Sequence, residues 1–245
     1  MNSSIQTIPL ASLALSFIPV ALALLILFKW SLRAANALYA VVRMLVQLLL
    51  IGYVLAFIFK SDSAWIILLV LMVMVCASSW IALDTVKVRI RPLFLPALSS
   101  ILISGGLVLA LVTQGVLALD PWYWPQFMIP LAGMIFANSM NSVSLAAERF
   151  YAEVGRNLPY LEARNIAFQT SLIPVINSLF AVGLVSLPGM MTGQILSGVS
   201  PLIAARYQIM VMCMIFGSSA ISAACFLVWI KPVYHRAIID KPVSD

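Results

Sequence analysis

Residues 64–83 read AWIILLVLMVMVCASSWIAL, twenty positions without a charge, and Lys87, Arg89 and Arg91 follow within eight. A run of that length suits an α-helix crossing the hydrocarbon core of a bilayer. Its apolarity is continuous, whereas a membrane β-strand would alternate. Six more such runs lie at roughly 8–28, 38–59, 93–117, 125–147, 170–187 and 203–230. Lipid cannot satisfy open backbone groups, so each run is expected to be helical. The expectation is an all-α polytopic membrane protein of seven transmembrane helices, forming a single transmembrane domain over 1–245. Composition agrees: 63% of the 245 residues are hydrophobic and 9% are charged, against about 25% charged in an ordinary soluble domain. Mean hydropathy is +1.09. A soluble enzyme, a disordered tail and a nucleic-acid binder are all excluded on this basis.

The charges set the expected orientation. Lys29, Arg33 and Arg43 cluster around the connection of spans 1 and 2; Lys87, Arg89 and Arg91 follow span 3. Arg149, Arg156 and Arg164 follow span 5, and Lys231, Arg236 and Lys241 follow span 7. Those twelve fall on one side and only Lys60 and Arg206 on the other. Basic loops stay cytoplasmic, which predicts an outside N-terminus and a cytoplasmic C-terminus. The first run has no basic residue before Lys29, so it lacks the n-region of a cleavable signal and is expected to remain as span 1. Asp120-Pro121 and Ser200-Pro201 read as caps followed by a first-turn proline, starting spans 5 and 7.

Polar residues are few enough to weigh one by one. The segment 148–169 holds Glu148, Arg149, Glu153, Arg156, Glu162 and Arg164. Pro159 interrupts it, so two short helices are expected there, the second starting near Pro159, with Glu148 and Arg149 extending span 5 beyond the membrane. It is either a solvated connector or a cytoplasmic coupling loop that docks a partner. The segment 188–200 is uncharged and broken by Pro188, Gly189, Gly193 and Gly198. Such backbone survives at membrane depth only inside protein or beside a cavity, so it is an outer-gate or re-entrant element, or else a loop in the headgroups. Asn138, Asn141 and Ser142 share one face of span 5. They serve either interhelical hydrogen bonding or a translocation path. Arg43 and Gln47 share a face at the end of span 2. The small residues of span 7 and Ser100, Ser104, Gly105 and Gly106 of span 4 read as packing faces. Cys76, Cys213 and Cys225 and the twelve methionines read as packing residues, not metal ligands. With no H-E-x-x-H, no P-loop and no paired membrane aspartates, no catalytic residue, bound cofactor or metal site is expected, and any ATP hydrolysis would belong to another chain.

Leu187-Pro188-Gly189-Met190-Met191-Thr192-Gly193, followed by Arg206-Tyr207-Gln208-Ile209, resembles the FetB-type ABC permease family of bacterial iron-export and plant aluminium-tolerance permeases. Val42-Arg43, Gln47-Leu48, Gly52-Tyr53-Val54-Leu55, Gly133-Met134-Ile135 with Asn138, and Leu172-Ile173-Pro174 are similar to its patterns. The resemblance implies an export permease of the cytoplasmic (inner) membrane, linked to iron or metal homeostasis. It implies a homodimer powered by a separate cytoplasmic ATPase. Met190, Met191, Gln194 and Arg206 would then lie at the outer gate, Asn138 and Asn141 along the path, and Arg43 and Gln47 at its inner end. Glu148, Arg149, Glu153, Pro159, Glu162 and Arg164 would couple to the ATPase. Val154-Gly155-Arg156-Asn157-Leu158-Pro159 is the nearest counterpart of the family's coupling motif, in a loop between spans 5 and 6 that reads as shorter than the family's. A seven-span receptor or signalling subunit without transport is the competing reading.

Overall fold

The computed structural model describes residues 9–32, 34–59, 63–84 and 91–234. Arg33, Lys60, Lys87, Arg89, Arg236 and Lys241, which contributed to the expected orientation, lie outside them.

The chain divides into two compact units, Met1–Ser61 and Asp62–Asp245. The first contains α1 (Leu10–Leu15), α2 (Phe17–Lys29) and α3 (Ala34–Ile58). The first apolar run is broken at Ser16, whose hydroxyl donates to the Leu13 carbonyl at 2.7 Å. Pro19 explains the position of the break: its ring clashes with the carbonyl four residues back, that of Leu15. Ser31, at φ +54°, turns the chain between α2 and α3, and these two helices pack on each other.

The second unit contains α4 (Ala64–Asp84), α5 (Arg91–Ala110), a π-helical turn (Leu111–Val116), α6 (Pro125–Val154), α7 (Tyr160–Ala181), α8 (Gly189–Leu196) and α9 (Pro201–Trp229). α6 is its centre, packed against α4, α5, α7 and α9. Its inward side carries Ile135, Phe136, Val143, Ala146, Ala147 and Phe150, all buried. Small residues let the backbones meet. Ser100 and Ser104 of α5 and Ser218, Ser219, Ser222 and Ala223 of α9 are fully enclosed, so the packing faces read from sequence are used within the chain. The lipid-like exterior is equally clear: Trp65, Leu69 and Val73 of α4 and Leu95, Leu107 and Leu111 near α5 stand exposed.

Five helical stretches among the described residues are long and apolar enough to cross a membrane: 12–29, which joins α1 and α2 across Ser16, 34–58, 64–84, 92–116, which joins α5 and the π-helical turn, and 201–234. α6 and α7, with 30 and 22 residues, would be about 45 and 33 Å long at the α-helical rise, but they carry more polar residues. For α6 the reason is its central position, where side chains meet protein instead of lipid.

Three local expectations change. Span 5 starts at Pro125, not Pro121: Trp124 is its N-cap and Pro125 takes the first turn, while the Asp120–Pro121 peptide is cis within the preceding turn. In the segment 148–169 the preceding helix extends through Glu148 and Arg149 and a helix starts after Pro159, both as expected, but the two are the ends of long helices and not a separate short pair. α6 runs unbroken to Val154 and α7 runs from Tyr160 to Ala181, because apolar positions buried at Phe150, Ala163 and Ala167 continue the core beyond the apolar runs. The helix of span 6 therefore begins about ten residues earlier than 170 and stops at Ala181. Gly183, at φ +83°, then turns the chain in a conformation costly for a side chain with a Cβ.

Candidate functional site

α6, α7 and α9 enclose a cavity of about 240 Å³. α6 contributes Asn138, Asn141, Ser142 and Leu145; α7 contributes Ser171, Pro174, Val175 and Ser178; α9 contributes Ile215 and Ser219. Six of these ten side chains carry an amide or hydroxyl, and none carries a charge. The Asn138 amide nitrogen donates to the Met134 carbonyl at 2.8 Å, which leaves its Oδ1 as an acceptor. Ser171 Oγ donates to Phe168 O at 2.7 Å. Ser219 is fully buried and its Oγ has no hydrogen-bond partner. Pro174 lacks the N–H that would bond the Thr170 carbonyl. Asn141 and Ser178 are exposed at the rim, so the cavity opens on the side of the bundle. An unmet hydroxyl inside a membrane bundle is costly, and this set can offer several hydrogen bonds to a neutral polar group or to water.

The sequence identified Asn138, Asn141 and Ser142 as one face, and the structure brings them together here. It missed the α7 side of the cavity. Ser171, Pro174 and Ser178, at i, i+3 and i+7, share a helical face, and that spacing was the available signal. Ser219 looked like one small packing residue among several.

A second cluster closes the end of the bundle where α6 meets α7. Only residues 155–159 separate the two helices, and Asn157 sits at φ +63°, a conformation that Asn tolerates well. Glu153 is 3% exposed and holds Arg149 at 2.6 Å and Arg156 at 3.4 Å. Pro159 precedes α7 and its carbonyl accepts from Glu162 and Ala163. Phe150, Tyr160 and Tyr234 form a three-ring cluster with centroids 5.7 to 5.8 Å apart. Tyr160 Oη donates to the Leu227 carbonyl at 2.7 Å, tying α7 to α9. Burial pushes the Tyr151 phenol up to about 12. Burial also raises that of Tyr160, the Arg164 charge pulling it partly back, so both hydroxyls stay protonated donors. Glu148 and Glu162 are exposed. Arg164 donates to the side-chain oxygen of Asn165.

The remaining expected site residues are distributed elsewhere. Met190, Met191 and Gln194 lie on α8, which packs on α9. Both methionines are half-buried, and Gln194 Oε1 is buried without a partner. Arg206 is exposed near the start of α9. Gln208, one turn further in spacing from Ala204, is 5% exposed with an unpartnered Oε1. Its burial was not apparent from sequence. Arg43 and Gln47 are exposed on α3 of the first unit.

Comparison with known proteins agrees with this architecture. The model of the family described as "Uncharacterised protein family (UPF0014)" matches residues 10–164 and 160–234. The chain is 38% identical over 199 residues to the "UPF0014 membrane protein slr1647" of Synechocystis, covering 74% of this chain and 75% of that one. It is 34% identical to the "Probable iron export permease protein FetB" of Escherichia coli, with 94% of each chain covered. It is 31% identical to "Protein ALUMINUM SENSITIVE 3" of Arabidopsis thaliana, covering 88% of this chain and 84% of that one. No solved structure matches. These likenesses extend over nearly all the described helices, and the chain belongs to the UPF0014 family of membrane proteins.

Proposed function

We propose that this chain is the permease subunit of an ABC exporter linked to iron or metal homeostasis. It crosses the cytoplasmic (inner) membrane seven times, with the N-terminus outside and the C-terminus in the cytoplasm. The observation that carries the reading is the uncharged polar cavity between α6, α7 and α9. A structural bundle gains nothing from leaving the Ser219 hydroxyl unmet beside Asn138 and Asn141. The name of the Escherichia coli relative, an export permease, supports the same conclusion.

The permease works as a homodimer. Gln169 and Asn177 are exposed on α7 and Asn141 on α6. Lipid tails offer no partner for an amide, and a second copy does. Met190, Met191, Gln194 and Arg206 form the outer gate. Arg43 and Gln47 line the inner end of the path. ATP is bound and hydrolysed by a separate cytoplasmic ATPase, which presses on the elbow formed by Glu148, Arg149, Glu153, Pro159 and Glu162. That elbow suits force transfer because Glu153 is clamped by two arginines and Tyr160 is fastened to α9.

The test is affinity purification of the tagged chain from native membranes. A cytosolic ABC ATPase is expected to co-purify, and replacing 155–159 with a Gly-Ser linker is expected to release it and lower metal tolerance. If no ATPase is retained and the replacement leaves tolerance unchanged, the chain is not a driven permease.

A further inference from the structure

Between the first turns of α7 and the last turns of α9 lies a groove of about 220 Å³, lined by Arg164, Asn165, Phe168, Ala224, Leu227 and Val228. Neither the transport cavity nor the elbow accounts for it.

Its mouth is cationic, and one cation is held in place. Arg164 donates through Nε at 3.2 Å and Nη2 at 2.9 Å to Asn165 Oδ1. This fixes the plane of the guanidinium without neutralising it. A second cation stands close by: Lys231 Nζ lies 5.7 Å from the centroid of the Tyr160 ring. Arg164 stands at i+4 from Tyr160 on α7, one helical turn away, so both cations neighbour the same side chain. Among the described residues, no carboxylate lines the groove. Glu162 is two positions from Arg164, about 200° around the helix, and Glu153 is engaged by Arg149 and Arg156.

Behind the cations the wall is apolar: Phe168 on one helix, Ala224, Leu227 and Val228 on the other. Val228 is 52% exposed, so the groove opens to the outside of the bundle, along the α9 surface that spans the membrane. A free anion would use only the mouth. A soluble peptide would not be offered an apolar wall continuous with a lipid-facing helix. A phosphodiester headgroup joined to an acyl chain uses both parts. Basic pockets between membrane helices recognise anionic headgroups in this way, and a guanidinium matches a phosphate with two parallel hydrogen bonds.

We propose that the α7–α9 groove is a binding site for an anionic phospholipid, its phosphate on Arg164 and Lys231 and one acyl chain against Phe168, Ala224 and Val228. Arg164 thereby leaves the set assigned to ATPase coupling. A lipid seated here wedges the end of α7 against α9 beside the Tyr160–Leu227 bond, so the annular lipid sets how firmly the elbow is held. The site stands whether or not an ATPase binds.

Native mass spectrometry of the detergent-purified full chain tests this, with palmitoyl-oleoyl phosphatidylglycerol and phosphatidylcholine supplied separately. Retention of phosphatidylglycerol is expected to exceed that of phosphatidylcholine by roughly ten- to thirtyfold, the worth of two basic residues at an anionic surface. The double variant R164Q/K231Q is expected to erase the difference. Ala224→Trp, which fills the groove and leaves both charges, is expected to reduce retention as well, and Arg164→Lys to keep part of it. Equal retention of the two lipids by the wild-type chain overturns the proposal, even if a variant fails to fold. So does undiminished phosphatidylglycerol in monodisperse R164Q/K231Q and A224W. Complete displacement by millimolar inorganic phosphate would make this a free-phosphate site and would also overturn it.

Discussion

A methylene's worth of space separates tolerance from clash at neighbouring glycines of α5. A Cβ on Gly105 would lie 2.7 Å from Phe136 Cε1 and 3.1 Å from Ile135 Cγ2, whereas one on Gly106 would meet nothing within 4 Å. Phe136 is 3% exposed, and its ring can yield only toward the apolar cavity of about 280 Å³ that it lines together with Gly106. Gly105→Ala therefore turns the Phe136 ring toward that cavity and is expected to lower stability by about 1 kcal/mol, the low end of the overpacking cost because the ring has space to move into. Gly106→Ala is expected to be neutral or to gain up to about 1 kcal/mol from helix propensity. Thermal unfolding of the two variants in the same detergent gives the comparison. Equal midpoints would mean that α5 and α6 do not approach as closely as described.

Among the elements, the elbow between α6 and α7 is held by few but specific contacts. Apolar packing forms the shaft of each helix, but the turn itself relies on Glu153, enclosed between Arg149 and Arg156, and on Tyr160 bonded to α9. Removing the carboxylate charge leaves Arg149, whose Nε is already without a partner, with less compensation. Glu153→Gln is expected to cost about 1 to 3 kcal/mol, in the range for losing a charged hydrogen-bond acceptor at a buried site. The loosening should be local. Hydrogen exchange is expected to quicken across 150–163 with little change in α4 and α5. Uniform protection in the variant would show that the ion pairs do not brace the turn.

For the whole molecule, the distribution of exposed side chains distinguishes lipid-facing from protein-facing surface. α4 and α5 expose Trp65, Leu69, Leu95 and Leu107, which lipid accepts. α7 exposes Gln169 and Asn177, which lipid does not satisfy. On the homodimer reading, α7 faces its two-fold mate. In a background with Cys76, Cys213 and Cys225 replaced, Asn177→Cys is expected to give an oxidant-dependent covalent dimer in native membranes, and Leu107→Cys is expected to stay monomeric. Denaturing gels without reductant provide the measurement, and cross-linking at 107 but not 177 would place the interface on another face.

Most of the architecture was determined by the sequence. Uncharged runs such as 64–83 must be helical in lipid, because backbone groups there have no other partner, and Ser200-Pro201 marked the start of α9 as observed. The Leu187–Gly193 block pointed to the family that the comparisons bear out. Asn138 and Asn141 stood out because amides are rare in such runs. What tertiary structure alone decided is what those side chains meet. Ser171, Ser178 and Ser219 resemble packing residues until α7 and α9 are placed against α6 and one hydroxyl is left unmet. Helix ends shifted for the same reason: a short helix was legible after Pro159, but its fusion with span 6 depends on Phe150 and Leu227, which give Tyr160 a core to join. Burial of a polar group depends on neighbours distant in the chain, and no local pattern specifies them.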